Sequence, residues 1–184
     1  NPHYASYASE LLEGSNVKIC TVIGFPLGMN TTEIKIEETK RAIVDGASEV
    51  DMVINIGELK SRNQKFLVNE ISQIATLCHA NNVLLKVIIE TALLNQEEKI
   101  LACKVVSQSK ADFIKTSTGF STSGAKLEDI KLLKKNIDTS VRVKASGGIK
   151  DLKTAMEMLE AGASRLGTSS GVAICENKKS NQEY

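Results

Sequence analysis

The chain has no tryptophan, two prolines and two histidines, and aromatic residues make up only 4% of its 184 positions. Binding single-stranded nucleic acid takes aromatic platforms and a basic groove, and a formal net charge of +1 supplies no such field. His3 and His79 lie far apart, which argues against a histidine metal centre and against a Ser-His-Asp triad. The four cysteines, Cys20, Cys78, Cys103 and Cys175, form no C-x-x-C pair. Zinc ribbons and thioredoxin-like sites therefore lack support, and reduced, buried thiols are the expectation. No apolar run approaches the roughly 18 residues of a membrane span, and no signal-peptide pattern is seen. These absences predict a cytoplasmic protein with no metal centre, and neither nucleic acid nor membrane as partner.

What is present is ordinary in bulk, with 42% apolar and 24% charged residues, and strongly patterned in detail. Short apolar runs at 18–25, 49–55, 83–90, 113–116, 141–145 and 165–167 alternate with amphipathic stretches near 31–46, 61–81, 95–109, 124–136 and 151–161. The runs are brief and β-branched, as strands are. Thr31 or Thr32, followed shortly by a Glu, and Ser123 read as helix starts, and Gly46, Asn81 and Gly162 as helix ends. Strands spaced 22–34 residues apart predict βαβ units in a parallel sheet. A single domain is expected over 1–184, with a polar tail at 176–184.

The face pattern distinguishes an open doubly wound sheet, apolar on both sides, from a barrel. In 49–55, Glu49, Asp51, Val53 and Asn55 alternate with Val50, Met52 and Ile54; in 83–90, Leu84, Lys86, Ile88 and Glu90 alternate with Leu85, Val87 and Ile89. Lys115 shares a face with Phe113 and Ser117, and Lys144 with Arg142 and Ser146. One apolar face and one mixed face predict a (β/α)8 TIM barrel with polar side chains in its interior. Such a barrel needs eight strands in roughly 250 residues, and about six are counted. Together with a first residue that is Asn1, this predicts a chain lacking the first two βα units.

Lys115 and Lys144 fall on consecutive strands and on the same inward face. Neighbouring strands lie about 4.8 Å apart, so burial and like charge are expected to lower a lysine pKa. An amine poised near neutrality suits carbonyl attack and imine formation. Asp51, on an earlier inner face, is placed to balance the pair and relay protons, while Lys86 reads as structural, paired with Asp51 or Glu90. Two glycine-rich loops follow the last two strands: Ser146-Gly147-Gly148, and Gly167-Thr168-Ser169-Ser170-Gly171. In barrels, loops in these places frequently bind phosphate, and Gly119 is placed to line the same pocket. Residues 24–28 read as a shaped turn.

The segments NPHY, TVIGFPLG, EVDMVIN, LLKVIIE, DFIKTSTGF, VKASGGI and RLGTSSG run in the order and spacing of one family, which the chain resembles throughout: the deoxyribose-phosphate aldolases. The resemblance implies a TIM barrel and cofactor-independent cleavage of 2-deoxy-D-ribose 5-phosphate to acetaldehyde and D-glyceraldehyde 3-phosphate. By motif position, Lys115 resembles the imine-forming lysine, Lys144 the second lysine that depresses its pKa, and Asp51 the proton-relay aspartate. Gly119, Gly147, Gly148, Gly167, Ser169 and Ser170 resemble the phosphate-binding set. Tyr184 is matched to a terminal tyrosine of some members. The departure is at the start, where members usually carry two further strands, one with an Asp-x-Thr segment. Small phosphorylated sugars and aldehydes are the expected partners, and a homodimer is an open arrangement. Two other readings stand beside this one: a different phosphate-binding barrel enzyme in which one lysine is only electrostatic, and an inactive fragment or phosphosugar-binding remnant.

Overall fold

A computed structural model describes residues 1–178; part of the expected tail, including Tyr184, lies outside the described residues. Six strands, β1 (Cys20–Ile23), β2 (Glu49–Val53), β3 (Leu84–Ile88), β4 (Phe113–Lys115), β5 (Arg142–Ser146) and β6 (Arg165–Gly167), lie side by side in chain order, every neighbouring pair parallel. Helix α1 (Ala5–Leu11) precedes them, and α2 (Thr32–Val44), α3 (Ile56–Lys60), α4 (Gln64–Ala80), α5 (Gln96–Gln108), α6 (Leu127–Asn136) and α7 (Leu152–Glu160) fill the crossovers. Helix α8 (Gly171–Cys175) follows β6. This is the expected alternation, with six strands of a (β/α) barrel. Among the described residues, β1 and β6 do not pair with each other.

The two faces of the sheet separate as the alternation predicts. Val50, Met52, Leu85, Val87, Ile114, Val143 and Ala145 are buried in one apolar cluster with Ile71, Ile74, Ala102, Ile130 and Leu133 of the helices. Each such Leu or Ile contributes about 1.5–3 kcal/mol by leaving water. The other face carries Glu49, Asp51, Lys86, Phe113, Lys115 and Lys144, all buried as well. Burial of that charged face requires the sheet to curl. The Arg165 guanidinium on β6 reaches Glu49 on β2, Nη1 to Oε2 3.0 Å, across four strand spacings that would span about 19 Å in a flat sheet. Phe113 closes the floor beneath, with the guanidinium groups of Arg142 and Arg165 at 4.0 and 5.6 Å from its ring centre.

Local chemistry sets where elements begin and end. Asn95 caps α5 in a reciprocal box: its side chain accepts the Glu98 N–H at 2.9 Å and Glu98 accepts the Asn95 N–H at 2.8 Å. Helix α6 places Glu128 and Asp129 in its first turn and Lys134 and Lys135 in its last, matching the helix dipole. Several boundaries depart from expectation. The helix expected at 61–81 is α4, capped by Asn63; the short α3 before it was not expected, and Arg62, at φ 57°, separates the two. Asn82, not Asn81, is the left-handed residue after α4. Ser123 is not a cap, since α6 starts at Leu127, and α1 carries no apolar stripe to announce it. Cys78 and Cys103 are buried free thiols as expected, whereas Cys20 and Cys175 are exposed.

One ion pair lies wholly inside the helical layer. Lys35 Nζ donates to Glu70 Oε2 at 3.0 Å and to the Val53 carbonyl at 3.1 Å, with both side chains fully buried. Burial lowers the Lys35 pKa and raises that of Glu70, so desolvation outweighs mutual attraction for each partner. Glu70→Ala should cost about 3–5 kcal/mol of unfolding free energy. The double change Lys35→Met, Glu70→Leu should recover most of that loss in denaturant titration. A double variant no more stable than the single one would show that the pair itself carries stability.

Candidate active site

Parallel register sets the inner-face residues on two successive levels. Asp51 is opposite Lys86, Lys86 opposite Phe113, and Lys115 opposite Lys144. Curvature then closes the distance across the interior. Asp51 Oδ2 accepts from Lys115 Nζ and from Lys144 Nζ, each at 2.7 Å, and Oδ1 accepts from Lys86 Nζ at 2.9 Å. One carboxylate thus serves three amines on three strands. Lys86 also pairs with Glu49 at 2.6 Å, which Arg165 holds from the far side. The Cys20 thiol donates to Asp51 Oδ1 at 3.2 Å and sits 3.3 Å from Lys86 Nζ. Although Cys20 as a residue is exposed, its thiol points among the charged side chains; desolvation there, and then the Asp51 charge, push it upward, so it stays protonated.

Four cationic side chains (Lys86, Lys115, Lys144 and Arg165) face two carboxylates, Glu49 and Asp51. Fully protonated, the group carries a net charge of +2, and releasing one proton halves it. Lys115 is the amine that burial and charge favour for that release. It is 7% exposed; burial lowers its pKa, Asp51 opposes the shift, and Lys144 adds to it. Lys86 goes the other way, its pKa raised by Asp51 and its neighbours against the penalty of burial. Burial alone would raise Asp51, but the ammonium groups of Lys115, Lys144 and Lys86 hold it well below the usual carboxylate range. The three predicted residues, Asp51, Lys115 and Lys144, are therefore brought together. Burial is a larger cause of the Lys115 shift than the second lysine is.

Above Lys115 opens a cavity of about 480 Å³. Of the residues expected there, Gly119, Gly147, Gly148, Gly167 and Ser169 line it. Ser170 does not; it is buried beyond the rim, and its N–H donates to Thr168 Oγ1 at 2.9 Å. The cavity also takes in Thr118, Phe120, Ser123, Gly124, Ser146 and Thr168, which pattern reading passed over apart from two loop members. Gly124 has a specific reason to be glycine. A Cβ there would stand 2.2 Å from the Gly147 carbonyl oxygen, and the adjacent Ala125 N–H donates to Ser146 O and Gly147 O, each at 3.0 Å. The loop after β4 is thereby pinned to the loop after β5. The Ser-Gly pair at 123–124 was the available signal.

Two expectations near the site are decided by the geometry. Lys86 pairs with Glu49 and Asp51 and not with Glu90, because Glu90 leaves the inner-face alternation by adopting φ 53°. Residues 24–28 are a shaped turn as read: the Gly28 N–H donates to Gly24 O at 2.7 Å, and Glu38 accepts the Gly24 N–H at 2.6 Å. Among the described residues, no group of three or more His, Cys, Asp or Glu is arranged to hold a metal ion.

Comparisons with known proteins agree with one another. The family model described as DeoC/LacD family aldolase matches residues 3–177. A deoxyribose-phosphate aldolase of Brevibacillus brevis is 54% identical over 179 residues, 97% of this chain and 80% of that protein. Among solved structures, the aldolase QR15 superposes with a TM-score of 0.89 at 46% identity, covering 96% of this chain and 78% of its own. The tetrameric deoxyribose phosphate aldolase of Aeropyrum pernix superposes with a TM-score of 0.88 at 34% identity, covering 96% and 74%.

The depressed Asp51 pKa has a consequence for acid stability. A carboxylate held low in the folded state stabilises it above the unfolded value, about 3.9, and loses that contribution as pH falls through the folded value. The wild-type chain should therefore lose stability steeply below about pH 4. Asp51→Asn should be less stable at pH 7 and show a flatter acid limb in denaturant titrations at pH 7 and pH 3. Parallel acid limbs would remove Asp51 from the linkage.

Proposed function

The chain belongs to the DeoC/LacD family of aldolases, and we propose that it reversibly cleaves 2-deoxy-D-ribose 5-phosphate to D-glyceraldehyde 3-phosphate and acetaldehyde. The observation that carries the reading is the buried Lys115 amine, lowered in pKa, sharing Asp51 Oδ2 with Lys144 at 2.7 Å beneath a cavity rimmed by glycine and serine.

In this reading, neutral Lys115 Nζ attacks C1 of the open-chain sugar. Loss of water gives a protonated imine, an electron sink that replaces a metal or cofactor. The proton of the C3 hydroxyl leaves to a base in the Asp51–Lys144 group, and the C2–C3 bond breaks. Its electron pair moves into the imine to form an enamine, while C3 leaves as the aldehyde of glyceraldehyde 3-phosphate. Protonation of the enamine at C2 and addition of water release acetaldehyde and restore Lys115. Asp51 relays protons and holds Lys144 beside the reacting amine. Gly119, Gly147, Gly148, Gly167 and Ser169 are the proposed contacts for the phosphate, with Ser170 supporting that loop from behind. Lys86 stays protonated and anchors Asp51.

Other parts of the reading concern setting and assembly. Four free cysteines suit a reducing cytoplasm, and no helix among the described residues is long and apolar enough to cross a membrane. Self-association, as a homodimer, is proposed with the support of a tetrameric relative. Light scattering should return at least twice the mass of one chain, and a monomer would reject it.

Borohydride added with acetaldehyde should fix a two-carbon adduct on the Lys115 peptide, identified by mass spectrometry. Lys115→Met should lose both the adduct and turnover. Lys144→Met should lower turnover at neutral pH by about a hundredfold or more. It should also move the acid limb of the pH profile upward, because one of the influences that lowers the Lys115 pKa is gone. An adduct on another lysine, or an unmoved acid limb, would reject these roles.

A further inference from the structure

Glu90 is an anomaly at the edge of the site. Regular pairing of β3 with β4 ends at Ile88 and Lys115, but contact continues: the Ile89 N–H donates to Lys115 O at 3.0 Å and the Thr91 N–H to Thr116 O at 2.9 Å. Between them Glu90 takes a left-handed backbone, φ 53° and ψ 69°, which side-chain-bearing residues rarely adopt. Glu90 is 4% exposed. Its Oε2 accepts both the Thr118 N–H, at 3.2 Å, and the Thr118 hydroxyl, at 2.5 Å, and its Oε1 has no partner in the structure. A buried acid with one oxygen unshared, on strained backbone, is costly to retain, and its polar contacts go to one residue.

That residue transmits the hold. Thr118 Oγ1 accepts the Phe120 N–H at 3.0 Å, so Glu90, Thr118 and Phe120 form one hydrogen-bonded chain. Phe120 is 74% exposed and meets the Phe25 ring edge-on, with ring centres 5.5 Å apart. Thr118, Gly119 and Phe120 all line the cavity over Lys115. The ion pairs of Lys86, Lys115 and Lys144 run to Asp51 and Glu49, so Glu90 stands outside the charge network.

We propose that Glu90 is a positioning residue: through Thr118 it fixes residues 118–120 as the wall against which the sugar phosphate is seated. The inference rests on the aldolase reading of the cavity and adds a residue to it. Held in place beforehand, the loop need not be ordered when substrate binds. Losing Glu90 should therefore weaken substrate binding and leave imine chemistry intact.

Glu90→Ala removes the acceptor, whereas Glu90→Gln keeps an oxygen able to receive both Thr118 donors. Steady-state cleavage of 2-deoxyribose 5-phosphate and amide hydrogen exchange over 116–122 are measured for both. Glu90→Ala should raise KM about tenfold with kcat within about threefold and an unmoved pH profile. It should also speed exchange at Thr118 and Phe120, while Glu90→Gln stays near wild type. An unchanged KM, unchanged exchange, or a fall in kcat with a shifted pH profile overturns the proposal. Should Glu90→Ala not fold, Thr118→Val, which deletes the hydroxyl and keeps the N–H, must show the same rise in KM. A wild-type chain that cleaves no sugar phosphate would reject the aldolase reading instead, and the exchange rates would still decide whether Glu90 holds the loop.

Discussion

One carboxylate bonded to three lysines organises this molecule. Asp51 lies on β2, and its partners Lys86, Lys115 and Lys144 lie on β3, β4 and β5. No flat sheet satisfies all three contacts, because Lys144 would be about 14 Å from Asp51 at ordinary strand spacing. The curl that lets them meet also brings Arg165 over Phe113 and joins it to Glu49. The same cluster that uses the barrel's interior thus depends on its curvature. Removing one partner from such a buried group leaves the others uncompensated, so Asp51 bears on the stability of the whole inner face.

The electrostatics follow from counting as much as from burial. Asp51 and Glu49 together do not neutralise three ammonium groups and a guanidinium. The network divides its protons unevenly: Lys86, gripped by both carboxylates, keeps its proton more firmly, and Lys115, under the cavity, keeps its proton less firmly. Two lysines with opposite shifts on one carboxylate suit the proposed imine chemistry: one amine freer to attack and a field of positive charge to hold it unprotonated.

Much of this was legible in the sequence, and for a definite reason. Alternation with period two is a local property, so Asp51, Lys86, Lys115 and Lys144 could each be placed on the inner face from their neighbours alone. The spacing of apolar runs likewise fixed six parallel strands. Long-range consequences were not legible. That Glu49 meets Arg165 depends on curvature summed over four strands. That Gly124 must be glycine depends on the approach of a loop 23 residues further on. Glu90 was misplaced because its positive φ has no glycine to announce it, and a single left-handed residue turns the side chain off the expected face. Ser170 looked equivalent to Ser169, yet the turn at Thr168 buries one and leaves the other on the cavity.

The central claim is that Lys115 gives up its proton more easily than Lys86, although both bond to Asp51. Its most direct test is a titration of the chain with 13C at the lysine Cε positions, followed by carbon–proton correlation NMR. The Lys115 signal, assigned by its loss in Lys115→Met, should titrate below the ordinary lysine value of about 10.4, while that of Lys86 titrates above it. A Lys115 signal that titrates at or above the ordinary value in the folded protein would contradict the account.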